Sequence, residues 1–452
     1  MRREWILTLV SVGLTLVVAL GLIRWLAPGL LGMSTPVDLQ VVQLDDQLPP
    51  FYESMLGPDV LSPDTPPDRQ DPLVGMRHQA MVPPNYQDNA PFDLLGFRNH
   101  AVPTVADVVT IGDSQTVGLN ATLEYTWPGV MARLLRPQGA NVYNMSKGGW
   151  GAVQYLYMAE KALTFRPRVL VVAFYSGNDP LEAVRLAYGY EPWASLRGHA
   201  TEPDRPPSAW PPAPEDLWRA RFSDGGATVF TAKTRLMSND RDYPATAEGY
   251  RIMAEAGRRI AEVGRKAKVP VVFTIIPTKE FVYSGRVRGE GLEAPEAYSR
   301  LVSHEGENIR ELVAALQDLK GATYVDVIDP LRQVLATGVA LYLPNSDGHP
   351  APAGYEVIAR VLTPVVHRMI PAPPASGVYR VVVPEGWRSA PVVHVAGRGV
   401  SWFWNMNTVM ANGWPSDLST MPVVTLRDLA VFTPQGMISG ADPARFGPPA
   451  DN

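Results

Sequence analysis

The sequence predicts an α/β fold: a three-layer domain whose mostly parallel sheet is covered by helices on both faces. Three observations point there. The run Val105–Ile111 is β-branched and apolar and stops at Gly112-Asp113-Ser114, so it reads as a buried parallel strand that delivers a serine at its C-terminal edge. Further apolar runs follow at Val169–Tyr175, Val269–Ile276 and Thr323–Ile328. Between them lie stripes at helical spacing: Val130, Leu134 and Leu135, then Ile252, Ala256, Ile260 and Val263, then Ile309, Leu312, Val313 and Leu316, and finally Val357, Ile358, Val361 and Leu362. Strand alternating with helix is the pattern of a parallel sheet.

Composition narrows the class. The chain has 452 residues, 46% hydrophobic and 19% charged, enough for a sizeable core and more than one unit. A net charge of −5 without a basic block argues against a nucleic-acid partner. There is no cysteine, which excludes disulfides, thiolate metal sites, a cysteine nucleophile and a lipoprotein anchor. The 44 prolines cluster between the periodic segments, as in a globular chain with long extended connectors.

The elements follow in order. Residues 1–30 read as a cytoplasmic tip and a transmembrane anchor, because Trp5–Ile23 carries no charge over nineteen residues. At about 1.5 Å per residue such a run crosses roughly one hydrocarbon core. A cleaved signal peptide is the rival, but its apolar region is usually about 7–15 residues and ends in a small-x-small site. Leu26–Gly32 makes a poor one. Arg2 and Arg3 place the N-terminus in the cytoplasm, so a single-pass inner-membrane protein with its body periplasmic or otherwise extracytoplasmic is expected. Residues 31–71 are Pro-rich and aperiodic, a tether.

The main domain is expected over 72–370, with a Pro-rich insertion at about 185–245 lying over one face. Ala140–Asn144 is a short strand, Lys147–Gly151 a tight turn, Gln154–Phe165 a helix. Residues 375–452 read as a small β-rich C-terminal region, with strand-like Val378–Val383 and Pro391–Val395. Its Trp387, Trp402, Trp404 and Trp414 suit either a carbohydrate-binding surface or the core of a small β-unit.

The chemistry begins at Ser114, which needs help to act as a nucleophile. Gly149 sits in a glycine-rich turn after a short strand, where bare backbone N–H groups can face a ligand. Asn178 lies just past Val169–Tyr175, where a side-chain amide can donate a second bond. Asp347-Gly348-His349 precedes the last helix and places a base beside an orienting acid. No His/Asp/Glu group has metal-ligand spacing, and no cofactor is called for.

Here the chain resembles the SGNH (GDSL-type) hydrolase superfamily. Its block I is matched by Ile111–Ser114, block II by Asn144–Gly151, block III by Gly177-Asn178-Asp179 and block V by Asp347-Gly348-His349. Gly96-Phe97-Arg98, Tyr125–Pro128 and Ile276–Glu280 resemble recurrent elements of a bacterial membrane-anchored envelope branch. The likeness covers roughly residues 72–370. Two positions depart from the commoner pattern: the spacing Asp-x-His, where Asp-x-x-His is usual, and Ser146, where many relatives carry glycine. The resemblance implies Ser114 as nucleophile, His349 as base and Asp347 as its orienter, with an oxyanion hole from the Ser114 and Gly149 amides and the Asn178 side chain.

Other residues have plainer readings. Asp113 braces block I, and Asp179 caps the next helix. Lys147 and Trp150 either line a subsite or lie exposed on a turn. Lys279-Glu280 reads as a solvated pair after a strand. The remaining histidines are surface or core residues.

The function expected is a membrane-anchored serine esterase that removes acyl groups, most simply acetyl, from envelope carbohydrate or another small ester. Two alternatives share the fold. One is a polysaccharide O-acetyltransferase, which passes the acyl group to a sugar. The other is a non-catalytic subunit bound to integral membrane partner proteins.

Overall fold

Two faces of one sheet organise the α/β domain, and the alternation of side chains along its strands explains both. The computed structural model describes residues 68–71, 75–78, 92–93, 95–103, 105–372, 374–383, 391–397, 399–429 and 433–446. All fall within one compact unit, Asp59–Asn452. The expected anchor Trp5–Ile23 and nearly all of the tether lie outside the described residues, among which no helix is long and apolar enough to cross a membrane.

A short antiparallel pair, β1 (Asp68–Asp71) and β2 (Gly75–His78), precedes the domain. The central sheet contains β3 (Val108–Ile111), β4 (Val142–Asn144), β5 (Val169–Tyr175), β8 (Val271–Ile276) and β9 (Ala322–Tyr324). Its order is β4-β3-β5-β8-β9, and every pairing is parallel. Chain order therefore reverses direction between β3 and β5, the kind of switch point where α/β sheets open a ligand crevice at their C-terminal edge.

Successive strand residues point to opposite faces. On one face Val169, Val171, Ala173 and Tyr175 join a buried cluster with Trp127, Val130 and Leu135 of α2 (Trp127–Leu135) and Tyr355, Ile358 and Leu362 of α10 (Pro352–Met369). On the other face Phe174 meets Tyr155 of α3 (Ala152–Ala162) at 5.7 Å between ring centres and stacks on Phe273 at 5.9 Å. There α6 (Pro244–Ala267) passes close, since a Cβ at Gly257 would lie 3.8 Å from Phe174. Fully burying one such side chain contributes about 1.5–3 kcal/mol, so each helix is held by a handful of its apolar positions.

Two elements differ from the sequence reading. The strand expected at Thr323–Ile328 ends at Tyr324, and Asp326 turns the chain by accepting from the amides of Ile328 and Asp329, which starts α9 (Ile328–Ala336). The Pro-rich stretch holds more order than its composition suggests. After α4 (Asp179–Gly189) it forms a hairpin of β6 (Trp218–Arg221) and β7 (Ala227–Phe230) and then α5 (Ala232–Leu236). Phe230 packs against Tyr283 of α7 (Lys279–Gly289) at 5.5 Å and Tyr298 of α8 (Glu296–Gln317) at 5.1 Å.

The C-terminal residues form a mixed five-stranded sheet ordered β13-β10-β11-β12-β14, from β10 (Gly377–Val382), β11 (Val392–Ala396), β12 (Gly399–Phe403), β13 (Val423–Thr425) and β14 (Thr433–Ile438). Trp402 packs against one of its apolar clusters and Trp414 against the other, whereas Trp404 is 56% exposed. Trp387 lies outside the described residues. Arg168 fastens this sheet to the α/β domain by bridging Asp107 at 3.1 Å and Asp428 at 2.8 Å.

Candidate active site

The strand β3 stops where Asp113 turns its side chain back on the chain. Its carboxylate accepts from the Gln115 amide at 2.9 Å, the N-cap bond of a single helical turn, α1 (Ser114–Val117). Ser114 is the first residue of that turn, a position whose own N–H has no intrahelical acceptor.

Three distant residues then meet. The Ser114 hydroxyl lies 2.8 Å from His349 Nε2, and His349 Nδ1 lies 2.6 Å from Asp347 Oδ1. A carboxylate can only accept, so Nδ1 carries the proton and Nε2 is left as the acceptor for the serine O–H. The Asp347 carboxylate also accepts from the His349 amide at 2.8 Å, which makes the short Asp-Gly-His spacing self-bracing. Partial burial pushes the Asp347 carboxyl up, but its bonds to the His349 ring and amide and the imidazole charge outweigh this and hold it at about 2. Asp347 is thus ionised throughout the neutral range.

The turn after β4 lies beside the serine. The Lys147 amide donates to Gly112 O at 3.3 Å, and a Cβ at Gly148 would sit 3.6 Å from Ser114 Cβ. Gly149 has φ +76°, and nothing lies within 4 Å of where its Cβ would be. The left-handed backbone, not crowding, is what calls for glycine there. Lys147 and Trp150 are both buried, so neither is an exposed turn residue.

Asn178 follows β5, the strand next to β3. It occupies the N-cap position of α4 but makes no side-chain cap bond, and its Nδ2 is buried without a hydrogen-bond partner. Asp179, read from sequence as the cap, does something else. It is fully buried and accepts from the Tyr175 amide at 2.8 Å and the Tyr155 hydroxyl at 3.0 Å. That leaves the Asn178 amide free to donate elsewhere. Burial, reinforced by the charge of Asp113, pushes the Asp179 carboxyl up. Burial likewise raises Asp113 to about 6, against the Gln115 amide, the His349 charge and the Ser114 hydroxyl.

Several supporting residues escaped the sequence reading. Lys279 and Glu280 are not a solvated pair but are fully buried. Lys279 Nζ donates to the carbonyls of Asn345 at 2.7 Å and Asp347 at 2.9 Å, and Glu280 accepts from the Thr231 amide at 2.7 Å. Burial pulls the Lys279 ammonium down to about 8. Arg98, quoted above only for its resemblance, is buried and donates to the carbonyls of Val117, Gly118 and Ala121 at 2.7–2.9 Å, closing the loop after Ser114. Asn120 in that loop reaches the His349 carbonyl at 3.4 Å. Arg235 of α5 stands beside Gly348, with its Nη2 2.9 Å from where a Cβ would be. No motif surrounds it.

Among the described residues no group of three or more His, Asp or Glu side chains is placed to hold a metal. The arrangement suits proton transfer from a serine to an imidazole.

No protein of curated function matches the chain. Similar solved structures include TesA, at 14% identity over 58% of this chain and 98% of that one, with a TM-score of 0.31. A GDSL-like lipase from Bacteroides thetaiotaomicron matches at 11% identity over 58% and 87%, with a TM-score of 0.29. A catalytic mutant of Axe2, an acetylxylan esterase from Geobacillus stearothermophilus, matches at 12% identity over 58% and 96%, with a TM-score of 0.33. The model of the GDSL-like lipase/acylhydrolase family matches residues 110–357, from the strand that presents Ser114 to the helix that follows His349, and the chain belongs to that family.

Proposed function

We propose that the protein is a serine esterase that removes acyl groups, most simply acetyl, from envelope carbohydrate, and that Trp5–Ile23 anchors it with the catalytic domain outside the inner membrane. The observation that carries the catalytic part is the chain of bonds from Ser114 through His349 to Asp347, at 2.8 and 2.6 Å. The uncharged run Trp5–Ile23, with Arg2 and Arg3 ahead of it, supports the anchor. The resemblance of several short motifs to an envelope branch supports the substrate class.

In this reading Ser114 Oγ attacks the ester carbonyl as His349 Nε2 takes its proton. Asp347 keeps the imidazole in the required tautomer and stabilises its protonated form. Negative charge collects on the carbonyl oxygen and is met by the N–H groups of Ser114 and Gly149 and by Asn178 Nδ2. Collapse expels the sugar hydroxyl, protonated by His349, and leaves an acyl-Ser114. Water then attacks the acyl group with His349 again as base, releasing the carboxylic acid and free serine.

The test uses the full-length chain in mild detergent. A fluorophosphonate probe should add one adduct mass at Ser114, and a chromogenic acetyl ester should be hydrolysed. Ser114→Ala should lose both. Equal inertness of wild type and Ser114→Ala to probe and ester would sink the proposal.

A further inference from the structure

Arg235 is a cation that the mechanism above leaves without a task. It comes from α5 in the Pro-rich stretch, yet its guanidinium reaches the loop that carries Asp347 and His349. A Cβ at Gly348 would lie 2.9 Å from Nη2 and 3.6 Å from Cζ, so the guanidinium lies against the one residue between the acid and the base. It also stands 5.8 Å from the ring centre of Tyr175, the last residue of the strand that leads to Asn178. Arg235 is thus close both to the loop that supplies His349 and to the last residue of the strand before Asn178.

Its partners are missing. Nε is buried with no hydrogen-bond partner, and among the described residues no carboxylate forms an ion pair with the guanidinium. The acids in its field bond to other groups, although Glu280 keeps one buried oxygen, Oε2, unbonded. Asp347 accepts from the ring and amide of His349, Glu280 accepts from Thr231, and Asp113 accepts from the Gln115 amide. The charges of nearby acids keep the guanidinium ionised, but none of them meets it in a hydrogen-bonded pair, which leaves its buried Nε–H unpaired at a cost. The planar fork of arginine matches a carboxylate with two parallel bonds.

We propose that Arg235 forms a carboxylate-binding subsite beside the nucleophile, so that the preferred ester is a sugar carrying a carboxylate close to its acyl group. The subsite itself follows from the placement of Arg235, and its use in turnover rests on the esterase reading. Gly348 has a part in it: a Cβ there would lie 2.9 Å from Nη2 and force the guanidinium to shift, so glycine at the centre of the short Asp-x-His spacing lets Arg235 keep this place.

The experiment pairs ligands that differ by one charge. The methyl glycoside of a hexuronic acid and its neutral methyl ester are titrated into the full-length chain, with binding read by NMR. Their O-acetylated forms are then used for turnover. The acid should bind wild type about 10–100-fold more tightly than the ester, the worth of a charge-assisted pair. It should show the same preference in kcat/KM, carried mainly by KM. Arg235→Gln should reduce the preference to near unity, Arg235→Lys should keep part of it, and Gly348→Ala should weaken it. A wild-type acid-to-ester ratio near one, or a ratio unchanged in folded Arg235→Gln, overturns the subsite. If Arg235→Gln does not fold, the wild-type ratio and its loss at high salt decide. Arg235-dependent binding of the acid without turnover of either acetyl ester would uphold the subsite and count against the esterase reading instead.

Discussion

Lys279 Nζ donates to the backbone carbonyl of Asp347 at 2.9 Å, and to that of Asn345 at 2.7 Å. A buried ammonium at the end of β8 therefore holds the loop that presents the acid and base to Ser114. Hydrogen bonds from charged donors contribute about 1.5–3 kcal/mol, and a buried carbonyl left unmade costs a similar amount.

Lys279→Met should accordingly loosen the loop without touching the reacting groups. The expected result is a kcat lower by about 10–100-fold with KM changed little, together with a loss of stability on the order of 2 kcal/mol. Steady-state kinetics and urea unfolding measure the two. A kcat equal to wild type in a folded variant would show that the loop is held by other means.

How much of this was legible in the sequence depends on how local each signal is. The strand before Ser114 is visible because a β-branched run that halts at Gly112-Asp113 is a pattern of a few residues. The α/β alternation is visible for the same reason. Ser114, Gly149, Asn178, Asp347 and His349 can be named because each sits at a strand end or in a turn of marked chemistry, and the structure brings the serine, histidine and aspartate into contact. Lys279 and Glu280 look like any solvated pair after a strand, since nothing in the neighbouring residues says that a loop some 66 residues later will cover them. Arg235 is hidden more deeply. It lies in a stretch whose prolines suggest irregular chain, and its position depends on a hairpin held by long-range packing, Phe230 against Tyr283 and Tyr298 and Trp218 against Tyr298.

Asn178 offers a cleaner separation of catalysis from stability. Its Nδ2 has no hydrogen-bond partner among the described residues, so Asn178→Ala removes no hydrogen bond seen there. If the amide meets the oxyanion, the variant should lose about 2.7–4 kcal/mol of transition-state stabilisation, roughly 10²–10³-fold in kcat. Its melting temperature should stay close to that of wild type. A large fall in melting temperature with unchanged kcat would assign Asn178 to the scaffold.

Glu305 gives a prediction about pH. It is fully buried on α8 and accepts from Ser176 Oγ at 2.5 Å, from the Thr278 amide at 2.9 Å and from Thr278 Oγ1 at 2.6 Å. It thereby ties together the ends of β5 and β8, the strands that lead to Asn178 and Lys279. Burial raises its carboxyl from 4.5 to about 7, since the hydrogen bonds from Ser176 and Thr278 only partly compensate. Between these two values the folded state keeps a proton that the unfolded chain has released. Stability therefore falls as pH rises from 4.5 to about 7 and levels off above, and this carboxyl's share is on the order of 3 kcal/mol. Glu305→Gln cannot titrate, so its stability should decline less across that window. Denaturant midpoints of the two proteins should converge or cross as pH rises, because the other buried carboxyls, Asp93 and Asp113 among them, contribute equally to both. Parallel curves from acid to neutral pH would mean that Glu305 titrates as it does in the unfolded chain, and that the clamp between Ser176 and Thr278 is indifferent to its charge.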